Sequence, residues 1–105
     1  MTTTDATTQV PVFRPDVDVY TSETTVRVRA DMPGVQSDAL KLTLHEGVLQ
    51  LDGRAAHHRF VRKIRLDWPI DAEADIEARL CEGLLTVELA RAEAPPTIRR
   101  VTLRG

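Results

Sequence analysis

Hydrophobic and polar residues alternate with a period of two through most of this chain. Val17 and Val19 alternate with Asp16 and Asp18, Val26, Val28 and Ala30 with Arg27 and Arg29, and Leu40, Leu42 and Leu44 with Lys41 and Thr43. Leu49 and Leu51 flank Gln50, and Ile64 and Leu66 alternate with Lys63 and Arg65. Further on, Ile76, Ala78 and Leu80 alternate with Glu77 and Arg79, and Leu85, Val87 and Leu89 with Thr86 and Glu88. Successive side chains of a strand point to opposite faces, so each run predicts a short strand with one apolar and one polar face. Strands of that kind suit antiparallel sheets that are wet on one side.

Turn chemistry falls between the runs. Pro33-Gly34 stops the second strand, and Glu46-Gly47 and Glu82-Gly83 each read as a tight hairpin. Trp68-Pro69 ends a long strand, because proline brings no N–H to a ladder. Residues 36–40 and 71–75 are each long enough for one helical turn, with Ser37 and Asp71 as candidate N-caps. Short strands at this spacing, separated by turns, predict an all-β fold: an immunoglobulin-like antiparallel β-sandwich with the apolar series in one shared core.

The ends of the chain lack this pattern. Residues 1–12, rich in threonine, read as a short flexible N-terminal arm, residues 13–90 as the domain, and residues 91–105 as a C-terminal extension. Within the extension, Pro95-Pro96 favours an extended tether, and Val101-Thr102-Leu103 places two apolar side chains on one face. That motif either folds back as a last strand on its own sandwich or reaches a groove on a neighbouring chain.

Composition narrows the function. At 105 residues there is room for one core and none for a cleft between two lobes. No apolar run is long enough to span a bilayer, and the first ten residues show no signal-peptide pattern, so no membrane role is expected. The single Cys81 forms no internal disulfide, which fits a cytoplasmic location. A net charge of −2 and 4% aromatics argue against a nucleic-acid partner. His57 and His58 are adjacent, so in a strand their rings face apart and do not share a metal. No nucleophile–base pair, carboxylate pair or phosphate loop stands out, so neither an enzyme nor a cofactor is expected.

Four motifs carry a family resemblance. They are the stretch from Asp16 to Val35 containing Asp31-Met32-Pro33-Gly34, the strand Phe60-Val61-Arg62-Lys63-Ile64-Arg65-Leu66, the signature Ala78 followed by Gly83-Leu84-Leu85, and the tail Val101-Thr102-Leu103. In this order they resemble the α-crystallin domain of the small heat-shock proteins over residues 13–103. Three features depart from the usual pattern: the short arm, the short segment between Asp52 and Phe60 where many members carry a long strand-exchanging loop, and Ala90 in place of a proline.

The resemblance implies an ATP-independent holding chaperone that keeps partly unfolded proteins from aggregating. The competing reading is a non-catalytic interaction or scaffold module on the same sandwich. The resemblance also implies a homodimer in which Phe60, Arg62 and Ile64 lie at the interface, and the short arm predicts a dimer or a small oligomer and no large shell. Arg62 shares a face with apolar neighbours, so it either pairs with a carboxylate at that interface or snorkels to water. The seven residues between Asp52 and Phe60 span at most about 25 Å and leave none for an exchanged strand. Ala56–Leu66 is therefore expected as one long strand pairing antiparallel with its symmetry mate. Val101 and Leu103 are expected to dock in a groove lined by Leu40, Leu42, Leu44, Ile76, Ala78 and Leu80. The arm holds few apolar residues, so removing residues 1–11 is expected to cost little activity.

Charge is segregated as well. Arg54, Arg59, Arg62, Lys63 and Arg65 fall in one stretch without acids, and Asp71, Glu73, Asp75, Glu77 and Glu82 fall in another against Arg79 alone. These are either solvated faces that pair locally or complementary surfaces between copies.

Overall fold

The computed structural model describes residues 10–92. Residues 1–9 and the extension from residue 93, including Val101 and Leu103, lie outside the described residues. Eight strands follow in order: β1 (Val12–Phe13), β2 (Asp16–Thr21), β3 (Thr25–Asp31), β4 (Leu40–His45), β5 (Val48–Arg54), β6 (Arg59–Arg65), β7 (Glu77–Cys81) and β8 (Leu84–Ala90). They build two four-stranded sheets, ordered β1-β6-β5-β4 and β2-β3-β8-β7. All pairings are antiparallel except β1 with β6. The expected sandwich is present, with its apolar series turned inward. Val26, Val28 and Met32 from one sheet's strand and turn, Leu85 and Val87 from β8, and Leu51 from β5 are fully buried. Phe60, Ile64 and Leu66 close the core from the β6 side. Each such side chain contributes about 1.5–3 kcal/mol relative to exposure.

Both Glu-Gly pairs form the expected hairpins. His45 pairs with Val48 and Cys81 with Leu84, so each loop has two residues. Both loop residues take positive φ, 50° and 79° at Glu46-Gly47 and 49° and 82° at Glu82-Gly83. That is the type I′ geometry, whose twist matches the flanking strands.

Four expectations are corrected or refined. The long strand Ala56–Leu66 does not form: β6 begins at Arg59 because β5 runs on to Arg54, which pairs with Arg59. Residues 55–58 therefore make the hairpin loop, closed by the Ala55 N–H donating to the His58 carbonyl at 2.8 Å. Residues 71–75 make a single turn that does not repeat into a helix: the Ala74 N–H donates to the Asp71 carbonyl at 3.4 Å, and the Asp71 side chain accepts the Glu73 N–H at 2.9 Å as an N-cap does. A short 3₁₀ helix does form at Ser37–Ala39, but Gln36 stands at its N-cap position, without a side-chain capping bond, and Ser37 lies inside. Finally, the arm gives up Val12 to a strand: Val12 and Phe13 pair in parallel with Arg59 and Phe60, and the Arg59 N–H donates to the Pro11 carbonyl at 2.9 Å.

Candidate interaction surfaces

A sandwich exposes its chemistry at its margins, where edge strands leave backbone groups and inward-facing side chains half covered. One margin is made by β4 and β7, each the last strand of its sheet. Leu40, Leu42 and Leu44 pair with Gly53, Leu51 and Leu49, so they face inward, yet they are only half-buried. Ala78 and Leu80 pair with Val87 and Leu85, two fully buried residues. Leu80 is half-buried, and Ala78 stays exposed. Ile76 precedes β7 and is 44% exposed. Near one end of this margin Leu80 lines a cleft with Val35, Gln36 and Ser37. Near the other, Leu44 shares a cleft of about 670 Å³ with Trp68, Ile70 and Ala72. Of the six expected groove residues, Leu40, Leu42 and Leu44 thus stand on one sheet-edge strand, and Ile76, Ala78 and Leu80 stand just before and on the other.

The second margin is made by β1, β2 and β6. Here Phe60 and Ile64 are each 8% exposed and committed to the core, so their side chains are not free to meet a partner. What β6 offers is its outer backbone edge: β1 covers only Arg59 and Phe60, and among the described residues no strand lies beside the edge from Val61 to Arg65. Within the described residues of one chain the Arg62 guanidinium meets a carbonyl and no carboxylate. Its Nη1 donates to the Pro15 carbonyl at 2.9 Å, and its buried Nε has no partner among the described residues. A buried donor without an acceptor costs about 1–3 kcal/mol. Val12, Phe13, Val19 and Tyr20 are the exposed large apolar residues of this side. The Phe13 ring lies 5.9 Å from His58 and 6.2 Å from Phe60, and His58 stands edge-on to Phe60 at 5.0 Å. His58 Nε2 is 3.2 Å from the Pro33 carbonyl, where the ring N–H donates. Of this aromatic group only Phe60 was among the expected site residues, and Phe13 and His58 were not. Its only trace in the sequence is a short apolar step, Val10-Pro11-Val12-Phe13, at the end of the arm.

Charges follow the register. Asp52 and Arg59 form a two-pronged pair, with Nε donating to Oδ1 at 2.9 Å and Nη2 to Oδ2 at 2.6 Å. These bonds hold the Asp52 carboxyl below the usual carboxylate range, against a smaller opposing effect of its burial. Arg27 and Glu88 pair at 3.3 Å across β3 and β8, both about half exposed. Cys81 is a free, exposed thiol at the end of β7. Among the described residues no three metal-ligating side chains gather, and no helix is long and apolar enough to cross a membrane.

The family signature has a physical basis here. Leu85 is fully buried and Ala78 stands opposite Val87. Gly83 occupies a left-handed turn against the Met32–Pro33 backbone, where a Cβ would meet Pro33 Cα at 2.8 Å, and Leu84 pairs with Asp31 at the end of β3.

Comparison with known proteins agrees with this geometry. The model of the Hsp20/alpha crystallin family matches residues 18–104. Heat shock protein 16 of Schizosaccharomyces pombe is 28% identical over 115 residues, covering 91% of this chain and 80% of that protein. Alpha-crystallin of Mycobacterium tuberculosis is 35% identical over 92 residues, covering 74% of this chain, which spans 62% of that relative's length. Among solved structures, heat shock protein 16.0 from S. pombe superposes with a TM-score of 0.69 at 27% identity, over 88% of this chain and 76% of that one. A small heat-shock protein from Xylella fastidiosa, described as having a distinct high order structure, gives a TM-score of 0.66 over 89% of this chain and 98% of that one. At 21% identity the latter likeness bears on the fold alone.

Proposed function

The chain belongs to the Hsp20/alpha crystallin family, and we propose that it works as an ATP-independent holding chaperone, binding partly unfolded proteins and limiting their aggregation. The observation that carries this reading is the pair of open apolar margins. Val12, Phe13, Val19 and Tyr20 are exposed along one side, and Ile76 and Ala78 stand exposed beside half-buried leucines along the other. A non-native client exposes apolar segments and unpaired strands, and an open sheet margin offers both apolar area and free backbone groups. No bond is made or broken in such capture, so it needs neither a cofactor nor a converging set of reactive groups.

The rest of the proposed organisation follows from the same margins. Residues 13–90 act as the domain, with 1–12 as an arm whose last residues join the sheet, and 91–105 as an extension. Two copies pair through the open β6 edge, whose position Phe60 and Ile64 fix from the core side and beside which Arg62 keeps an unpaired donor. Val101 and Leu103 dock between β4 and β7, on the same chain or a neighbour. The free Cys81 fits a reducing cytoplasm.

Light scattering of a heat-labile protein, with and without this chain and without ATP, tests the reading. Suppression that is independent of ATP supports it. Unimpeded aggregation at a several-fold molar excess of the chain overturns it and leaves the scaffold module.

A further inference from the structure

The polar face of the β1-β6-β5-β4 sheet is assembled by register from three strands. Lys41 of β4 stands opposite Asp52 of β5, Arg54 of β5 opposite Arg59 of β6, and Lys63 and Arg65 of β6 opposite Gln50 and Val48. The face thus holds five cations and one carboxylate, and that carboxylate is taken by Arg59. Arg54 and Arg59 are direct cross-strand neighbours of like charge, an arrangement that destabilises a sheet when nothing opposes it. Lys63, Arg65, Arg54 and Lys41 are all exposed. The chain as a whole carries a net charge of −2, so the compensating acids lie elsewhere. A dense group of them lines the connector from β6 to β7 and the start of β7: Asp71, Glu73, Asp75 and Glu77, with Arg79 the one cation in that stretch, Arg91 bridging Ile70 beside Asp71 and Arg27 sharing a cleft with Glu77. That connector is held as a rim by the Asp71 N–H donating to the Ala90 carbonyl at 2.9 Å and the Ala92 N–H donating to the Pro69 carbonyl at 2.8 Å. Glu73, Asp75 and Glu77 are exposed on it.

We propose that the basic sheet face of one copy takes the acidic rim of a second copy. The two surfaces lie on different elements, so the contact is heterologous and adds copies head to tail, closing into a ring or continuing as a chain. It is separate from both β6 edge pairing and the tail groove, and it supplies a counter-charge to Arg54, Lys63 and Arg65, which have no carboxylate partner among the described residues. The face carries no exposed aromatic side chain from β4, β5 or β6 on which bases stack, which favours a carboxylate-bearing protein surface over a single-stranded nucleic acid.

Sedimentation of the full chain at about 0.01 M and about 1 M NaCl, where screening lengths are about 30 Å and about 3 Å, tests this. The expected result is a weight-average mass about twofold or more higher at low salt. Arg54→Glu with Arg65→Glu, or Asp75→Lys with Glu77→Lys, removes the low-salt excess. Combining all four changes restores it, because the charges are exchanged and not lost. Circular dichroism confirms that each variant keeps its strands. A mass independent of salt, or failure of the combined variant to regain it, overturns the proposal. So does a loss of heparin retention in Arg54→Glu/Arg65→Glu with no change of mass, which assigns the face to a polyanion. Client protection measured at about 1 M NaCl reports on the holding activity separately, since head-to-tail association is screened out there.

Discussion

Gly83 is packed against Pro33 so closely that a Cβ at position 83 would stand 2.8 Å from the Pro33 Cα, and its carbonyl accepts the Met32 N–H at 2.7 Å. One residue thus closes the β7–β8 hairpin and ties it to the turn that leaves β3. Gly83→Ala is expected to destabilise the domain by about 2–3 kcal/mol, roughly 10–20 °C in Tm, from left-handed strain and backbone collision together. Gly47 has a similar φ of 79°, but the nearest atom to its built Cβ is the Leu66 carbonyl oxygen at 3.7 Å. Gly47→Ala is expected to cost only about 1 kcal/mol. Thermal melts of the two variants side by side check the difference, and equal losses count against the packing argument.

The Asp52–Arg59 pair predicts a defined acid sensitivity. Its hydrogen bonds lower the Asp52 carboxyl in the folded chain. A carboxyl lowered by folding contributes stability above its unfolded value of about 4, and that stability is lost as pH falls through the lower folded value. Asp52→Asn is therefore expected to melt below the wild type near neutral pH, with the gap narrowing below about pH 4 and closing in stronger acid. Melting both proteins across that range is the measurement. A gap that stays constant into acid means the carboxylate charge is not what stabilises.

Strand β1 turns the boundary of the arm into a measurable point. The Pro11 carbonyl, Val12 and Phe13 engage β6 and the His58–Phe60 pair, whereas residues 1–9 hold only Met1 and Ala6 as apolar side chains. Deleting residues 1–9 is expected to leave stability unchanged. Deleting 1–14 uncovers Phe60 and the whole β6 edge and raises apolar-dye binding. Phe13→Ala and His58→Ala are expected to couple by about 0.5–1.5 kcal/mol in a double-mutant cycle. Additive losses, or equal dye binding by the two truncations, argue against a structural role for β1.

Those cases show what the sequence discloses and what it conceals. Val26-Arg27-Val28-Arg29-Ala30 alternates over a full strand, and Glu46-Gly47 names its own turn, so strands and hairpins are legible from local pattern alone. β1 is not legible, because two residues carry no period and their partners lie at Arg59 and Phe60. The end of β6 nearest its loop was misplaced because Ala55 and Ala56 have no strong preference, and the pairing of Arg54 with Arg59 decides where the loop falls. Arg62 was identified as an anomaly on an apolar face, but the Pro15 carbonyl it binds has no sequence signature. Ala78 and the core residue Ala30 each take an apolar position in a five-residue alternation, Ile76-Glu77-Ala78-Arg79-Leu80 and Val26-Arg27-Val28-Arg29-Ala30. Only sheet order makes one an exposed groove residue and the other part of the interior.

That difference at Ala78 gives a test of the groove that does not require the tail to be located first. Ala78 faces inward opposite Val87 but stays exposed, so a long side chain there extends along the β4–β7 margin without entering the core. Ala78→Arg is expected to leave the fold intact and to fill the groove. Val101→Gly with Leu103→Gly removes the apolar pair proposed to occupy it. If the tail docks there, either change lowers the mean assembly mass or raises apolar-dye binding, and combining them adds little, because both abolish one contact. A loss of two buried aliphatic side chains corresponds to about 3–6 kcal/mol before ordering costs, enough to be visible in either measurement. If the tail docks on its own chain, the dye signal rises at constant mass. If it docks on a neighbour, the mass falls with it. Effects of Ala78→Arg and of the tail variant that simply sum place the tail elsewhere, and no effect from either leaves the half-buried leucines of β4 without the occupant proposed for them.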